Sequence, residues 1–417
     1  MNIDYFFEEQ RILITRLSEF RRYLYSHIHW NQRCIGILGA RGTGKTTLIL
    51  QHIKEQYASQ TEKALYISVD SPFFQAHDLL QFAKKFHQLG GELLCIDEIH
   101  KYPDWSVHIK SIYDSIPSLK IIFSGSSLLQ VTHQKADLSR RAIVFYLHGL
   151  SFREYLNFSL QTSYAPWSLE HILSSHVALA TEISLDIKIL QHFKDYLKTG
   201  YYPFFLEGKE FYLFKVQEIV KHILEVDLPI VNRIEPRQIS KIKKLLYLLA
   251  TNVPFVPNIT KLSESTNISR PQLYEYLEKL QDARLLNLVR EPGRGYEILT
   301  KPEKIFLENS NIMYGITTEV NQGSLRELFF VNQLRNANSL HPSIAHHAVE
   351  ASHQGDFTIN GKYIFEIGGK KKSFQQLNNM ENSFVVSDDI EIGFKNKIPL
   401  WLFGFLYGHS APQNPFF

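Results

Sequence analysis

The chain has 417 residues, 44% of them hydrophobic and 21% charged; it is far longer than one domain of about 150 residues and too apolar for a disordered chain. Its 45 Lys+Arg and 42 Asp+Glu leave a formal charge of +3, and its two cysteines, Cys34 and Cys95, exclude a disulfide framework or a Cys-rich zinc site. An acidic start unlike a signal peptide, and apolar runs all shorter than the ~18 residues of a membrane span, predict a soluble, cytoplasmic, multidomain protein.

The first informative segment is an apolar strand over residues 33–38. It leads into Gly39, Ala40, Arg41, Gly42, Thr43, Gly44, Lys45, Thr46 and Thr47, with a helix predicted onward to Glu55. This is the P-loop, or Walker A, pattern. Its glycines let the backbone wrap phosphates, Lys45 reaches the β- and γ-phosphates of ATP, and the Thr46 hydroxyl coordinates Mg²⁺.

A strand candidate over 64–69 comes next. Glu92-Leu-Leu-Cys-Ile-Asp97-Glu98 follows, an apolar run ending in two carboxylates, as a Walker B strand requires. Asp97 would help hold Mg²⁺, and Glu98 would orient and polarise the attacking water. Strand candidates over 119–126 and 142–147 alternate with helical stretches, which predicts an α/β fold with a mostly parallel sheet. Ser124 or Ser126 stands where an extra-strand P-loop ATPase carries a polar sensor; a serine that merely ends the strand is the alternative.

Asp97-Glu-Ile-His-Lys-Tyr-Pro-Asp-Trp105, Ile122-Phe-Ser-Gly-Ser-Ser127, Leu138-Ser-Arg-Arg-Ala142 and Leu147-His-Gly-Leu-Ser-Phe-Arg-Glu154 occur in this order. Together they resemble the prokaryotic AAA+-type ATPases that carry a C-terminal nuclease-like domain of largely unknown function. The resemblance implies that Arg141 contacts the γ-phosphate, in cis or across a subunit boundary; a solvated basic pair with Arg140 is the alternative. Arg140 stands where the family usually has Gly, and Gly149 where it has Pro.

Residues 151–237 carry net charge −2 and helical periodicity in 187–197 and 211–228, broken at Gly200-Tyr-Tyr-Pro203. The pattern is similar to the helical lid of AAA+ proteins. Residues 238–304 carry +4, the most basic stretch. Helices over 238–251, 259–264 and 270–280, the last capped by Ser269, precede strands over 285–289 and 296–299, which predicts a winged helix. If it binds DNA, Arg270, Gln272 and Tyr276 face the major groove, while Arg290 and Arg294 sit on the wing. Glu275 and Glu278 oppose this, and contact with a protein is the alternative.

Residues 305–417 carry −2. A helix over 323–336 with Glu327, then Asp356 and Glu366 on neighbouring strands, resembles restriction-endonuclease-like PD-(D/E)xK domains, where such acids hold a second Mg²⁺. The lysine expected two residues after Glu366 is Gly368, and the first available is Lys370. An active nuclease, a degenerate nuclease-like fold and an unrelated domain all stay open.

The expected architecture is thus an extra-strand AAA+-like P-loop core (1–150), a helical lid (151–237), a winged helix (238–304) and a nuclease-like α/β domain (305–417). The expected function is Mg²⁺-dependent ATP hydrolysis coupled to DNA binding or remodelling, possible also in a homo-oligomer. A nucleotide-controlled switch that recruits a protein, and a metal-dependent DNA nuclease, are the alternatives.

Overall fold

A computed structural model describes residues 3–126, 128, 138, 140–232, 234–251, 258–291, 301–337, 347–377 and 380–407. The chain divides into two compact units, Met1–His148 with Ile230–Arg233, and Gly149–Pro229 with Ile234–Phe417.

In the first unit, all five expected strands form: β1 (Cys34–Leu38), β2 (Ala64–Ser68), β3 (Leu93–Asp97), β4 (Lys120–Gly125) and β5 (Ile143–Tyr146). They make one parallel sheet in the order β2-β3-β4-β1-β5. A parallel sheet covered on both faces needs near-continuous apolar strands, and Cys-Ile-Gly-Ile-Leu of β1 is buried throughout. Phe6 of the helix Asp4–Thr15 and Phe82 and Phe86 of the helix Leu79–Gln88 pack with Leu94, Ile96, Ile109 and Phe123 in one core. The register sets Leu38 beside Gly125 and Tyr146, and Ser68 beside Asp97. The C-terminal ends of all five strands therefore share one edge, from which the P-loop and the Walker B turn emerge.

In the second unit, Ser151 and Glu154 form a capping box that starts the helix Phe152–Leu160. Helices Leu169–Asp186, Ile189–Thr199 and Tyr212–His222 follow, the last continuing as a π-helical turn Ile223–Asp227. The expected break falls at Gly200–Pro203. At Gly149 a Cβ would overlap the Tyr201 ring, so the residue standing in place of the family's proline leaves room for that ring.

Helices Pro236–Thr251, Ile259–Thr266 and Arg270–Asp282 precede β6 (Leu286–Val289), which pairs antiparallel with β7 (Lys304–Leu307). The expected strand over 296–299 and Arg294 lie outside the described residues. Ser269 does precede the third helix, but its hydroxyl donates to Gln272 Oε1 at 3.1 Å instead of capping the backbone.

The helix Gln322–Ala337 packs on a mixed sheet of β8 (Val349–Ala351), β9 (Phe357–Ile359), β10 (Tyr363–Gly368), β11 (Ser383–Ser387) and β12 (Lys397–Pro399), in the order β12-β11-β10-β9-β8. The first three strands in that order run parallel, and β9 and β8 are antiparallel additions. Phe330 of the helix sits against Phe357, Phe365 and Phe403, all four fully buried. Among the described residues no helix is long and apolar enough to cross a membrane.

Candidate nucleotide site and the C-terminal carboxylate cluster

The P-loop turns sharply because its glycines occupy positions other residues resist. Gly44, which starts the helix Lys45–Gln56, has φ 96°, and a Cβ on Gly39 would overlap the Leu147 carbonyl oxygen. Inside the loop, Lys45 is buried and its Nζ donates to the Gly39 and Ala40 carbonyls, each at 3.0 Å. Thr43 Oγ1 donates to the Ala40 carbonyl at 2.9 Å, closing the turn. The N-terminus of a twelve-residue helix faces this cradle and favours negative charge there.

Walker A and Walker B meet directly. Thr46 Oγ1 donates to Asp97 Oδ2 at 2.6 Å. Asp97 is buried and accepts from three further donors: the Tyr66 hydroxyl on Oδ2 at 2.7 Å, the Ser124 hydroxyl on Oδ1, and the Glu98 backbone N–H on Oδ1 at 3.1 Å. Burial, then the charge of Asp97, holds the Tyr66 phenol far above its ordinary pKa, so it acts as a donor. Ser124 thus reaches Walker B, and its Oγ also accepts from Glu98 N–H at 3.3 Å. Ser126 instead uses its backbone N–H, which donates to His100 Nδ1 at 3.3 Å. Glu98 itself has φ 55°, a left-handed conformation unusual for a side chain of its size, and strain of this kind clusters at working sites.

Two supports of this site escape sequence reading. Arg22 is buried, and its guanidinium donates to the Thr43 carbonyl at 2.5 Å and the His148 carbonyl at 2.7 Å. It joins the P-loop to the strand-end segment after β5. Tyr66 is the second. Neither carries a motif, because each acts through contacts remote in sequence.

Arg141 lies away from the P-loop. It stands two residues before β5, at the edge where the strands begin, and Ile143 pairs with Ile35. At about 3.3 Å per residue, the strand length separates that edge from the P-loop by about 16 Å. Its guanidinium makes a two-point pair with Asp114, both bonds 3.0 Å.

The expected DNA-facing set also thins. Tyr276 is buried, which removes it from any groove. Arg290 pairs with Glu278 and Lys279 with Glu275. Arg270 and Gln272 are exposed.

In the C-terminal half, Glu327 and Asp356 come together, but around a lysine. Lys304 Nζ lies 2.8 Å from Glu327 Oε2 and 3.0 Å from Asp356 Oδ1. Burial alone would lower the Lys304 pKa; the two carboxylates more than offset it and the net shift is upward. Burial raises the Glu327 pKa, against the opposing pull of Lys304. Asp356 Oδ2 accepts from the Ile367 N–H at 2.8 Å, and Glu366 pairs with Lys372.

Among the described residues no three His, Cys, Asp or Glu are grouped to hold a metal ion. The lysine beside Glu366 is also Lys372, and not Lys370. A Cβ on Gly368 would come within 2.7 Å of the Lys372 stem, so the missing side chain at 368 makes the space that Lys372 fills. Lys397 Nζ holds this turn by donating to the Lys370 and Lys372 carbonyls at 2.8 and 2.9 Å.

Residues 31–156 match a family model described as an AAA domain. With the Walker A and Walker B geometry, this makes the first unit an AAA-type P-loop core. Residues 190–316 match a second model, a domain of unknown function (DUF8612). Two relatives from Methanocaldococcus jannaschii are similar to the chain. Uncharacterized protein MJ1637 is 27% identical over 282 residues, 64% of this chain and 59% of that protein. Uncharacterized protein MJ1544 is 23% identical over 348 residues, 78% of this chain and 72% of that protein. The chain thus spans less than two thirds of the first relative.

Among solved structures, AMPPCP-bound DnaA from Aquifex aeolicus aligns at 15% identity and TM-score 0.26, over 66% of this chain and 86% of that one. The Aeropyrum pernix ORC1 protein in complex with DNA aligns at 13% identity and TM-score 0.32, over 74% and 90%. Scores this low add nothing to the AAA assignment.

Proposed function

We propose that the chain is a cytoplasmic, Mg²⁺-dependent ATPase of AAA+ type that couples ATP hydrolysis to DNA binding or remodelling through residues 238–304. The observation that supports the ATPase reading is the 2.6 Å bond between Thr46 and Asp97, which sets two hard oxygen donors side by side at the mouth of the P-loop. Thr46 and Asp97 would hold Mg²⁺, which when bound neutralises charge on the β- and γ-phosphates. Lys45 would exchange two loop carbonyls for phosphate oxygens. Glu98, tethered through its backbone to Asp97 and Ser124, would orient the attacking water. Arg141 would act only from a neighbouring copy in a homo-oligomer, after leaving Asp114.

The DNA half of the reading rests on the +4 charge of residues 238–304 and on the exposed Arg270 and Gln272. Its test is binding of fluorescent duplex and single-stranded DNA across a salt series, with ATP turnover followed in parallel. Affinity that falls steeply with salt, and turnover that DNA accelerates, are expected.

The burial of Tyr276 and the pairing of Arg290 favour a second reading, in which ATP controls recruitment of a protein partner. Absence of DNA binding at low salt would select it. Residues 305–417 then serve as a nuclease-like fold that does not cut.

A further inference from the structure

We infer that the Glu327–Asp356 pair is built around a permanent internal cation, the Lys304 ammonium, which stands where a divalent metal would and ties β7 to the C-terminal sheet.

Three observations converge on it. The ammonium sits within salt-bridge distance of both Glu327 and Asp356, on the helix Gln322–Ala337 and at the start of β9. The Phe357 ring forms a further wall, with Lys304 Nζ 4.5 Å from its centroid. A phenyl face attracts an ammonium, whereas Mg²⁺ demands oxygen ligands or water on every side. The remaining acid, Glu366, has its own cation in Lys372, whose stem fills the space above Gly368. Each carboxylate thus already has a lysine partner.

The geometry also explains why Lys304 stays. Its side chain is about four-fifths shielded, and so are those of Glu327 and Asp356. Removing one partner from a shielded cluster leaves unpaired charge, which costs far more than a surface ion pair is worth. Asp356 is further fixed by the Ile367 N–H on its other oxygen. Lys304 itself begins β7, the strand that pairs with β6 after the helix Arg270–Asp282. The cluster therefore joins the basic helical segment to the C-terminal sheet by charge.

The inference has a sharp consequence. Replacing Lys304 by an uncharged residue leaves the Glu327 and Asp356 carboxylates together without the ammonium between them, while Glu366 keeps Lys372. That surplus of negative oxygen donors suits a divalent ion, so the substitution should create a metal site that the natural chain lacks. The test is calorimetric titration of the nucleotide-free full chain with MnCl₂, alongside thermal melts. Wild type should show no Mn²⁺ binding that Asp356→Asn removes, and Mn²⁺ should leave its Tm unchanged. Lys304→Met should gain a single Mn²⁺ site, raise its Tm when Mn²⁺ is added, and lose both effects in Lys304→Met/Asp356→Asn. Wild-type Mn²⁺ binding abolished by Asp356→Asn would overturn the inference, and so would a folded Lys304→Met that takes up no Mn²⁺. Should Lys304→Met not fold, the wild-type titration decides alone, because a metal cluster and an ammonium cluster give opposite results in it.

Discussion

The Thr46 hydroxyl donates to the Asp97 carboxylate at 2.6 Å across 51 residues of sequence, and so closes Walker A onto Walker B. Asp97 keeps other donors, from Tyr66, Ser124 and the Glu98 N–H, when that hydroxyl is lost. Thr46→Ala should therefore cost only about 1 kcal/mol of stability, the net worth of one hydrogen bond. Its effect should appear instead in ATP affinity measured with and without Mg²⁺. Wild type should bind more tightly with the metal, and the variant should lose most of that difference.

Arg22 offers a prediction the motifs do not. Its guanidinium is buried and donates to carbonyls of Thr43 and His148. Arg22→Met would leave both acceptors without that donor, at a cost of about 3 kcal/mol from charged hydrogen bonds. Chemical denaturation should show the loss, and ATP binding should weaken because the P-loop loses its tie to the segment after β5. A variant with wild-type stability and affinity would show that the buttress does nothing.

Gly39 tests the loop from the inside. A methyl group there overlaps the Leu147 carbonyl oxygen, a backbone atom with little freedom to retreat. Gly39→Ala should destabilise the chain by about 1–3 kcal/mol, the usual range for overpacking. Nucleotide binding should fall with it, since relief of the overlap displaces the phosphate cradle. Thermal melts with and without ATP measure both effects.

The parts of this site that could be read from sequence are those whose chemistry is contiguous. Gly39 to Thr46 and Asp97-Glu98 announce themselves because phosphate wrapping and metal holding need fixed residue types at fixed local spacing. The five strands of the first sheet were legible for a related reason: buried parallel strands are short apolar runs. Arg22 and Tyr66 were not legible, since an arginine or a tyrosine has no pattern until the chain folds around it. The edge of the sheet that Arg141 occupies was not legible either, because it depends on where the chain enters β5 and not on the residue type.

The same limit appears in the second unit. Helix periodicity located the helix Arg270–Asp282 but could not say that Tyr276 points inward. Asp356 and Glu366 did fall at and on adjacent strands, as their spacing suggested. Lys304 and Lys372 could not be foreseen, because one arrives from a distant strand and the other occupies a gap left by Gly368.

Glu308 makes the second unit sensitive to pH. Burial raises its pKa from 4.5 to about 7, with Arg284 and Arg335 opposing the shift. A carboxyl with a raised folded-state pKa holds its proton longer in the folded chain than in the unfolded one. Stability is thus greatest below pH 4.5 for this group, and falls as pH rises toward 7, by about 3 kcal/mol in all. Glu308→Gln should flatten that decline and be more stable than wild type at pH 8. Urea denaturation of both proteins at pH 5, 6, 7 and 8 gives the comparison; parallel pH profiles would show that Glu308 ionises as freely folded as unfolded.

The most direct measurement is steady-state ATP hydrolysis by wild type and Lys45→Ala with Mg²⁺, with folding checked by thermal melts. Lys45 lies inside the loop, on the carbonyls of Gly39 and Ala40, where phosphate oxygens would replace them. Wild type should hydrolyse ATP, and the folded variant should be slower on the order of 10²-fold or more, as for loss of a charge-stabilising donor. A folded Lys45→Ala protein that turns over ATP at the wild-type rate would contradict the assignment of this loop as the catalytic nucleotide site.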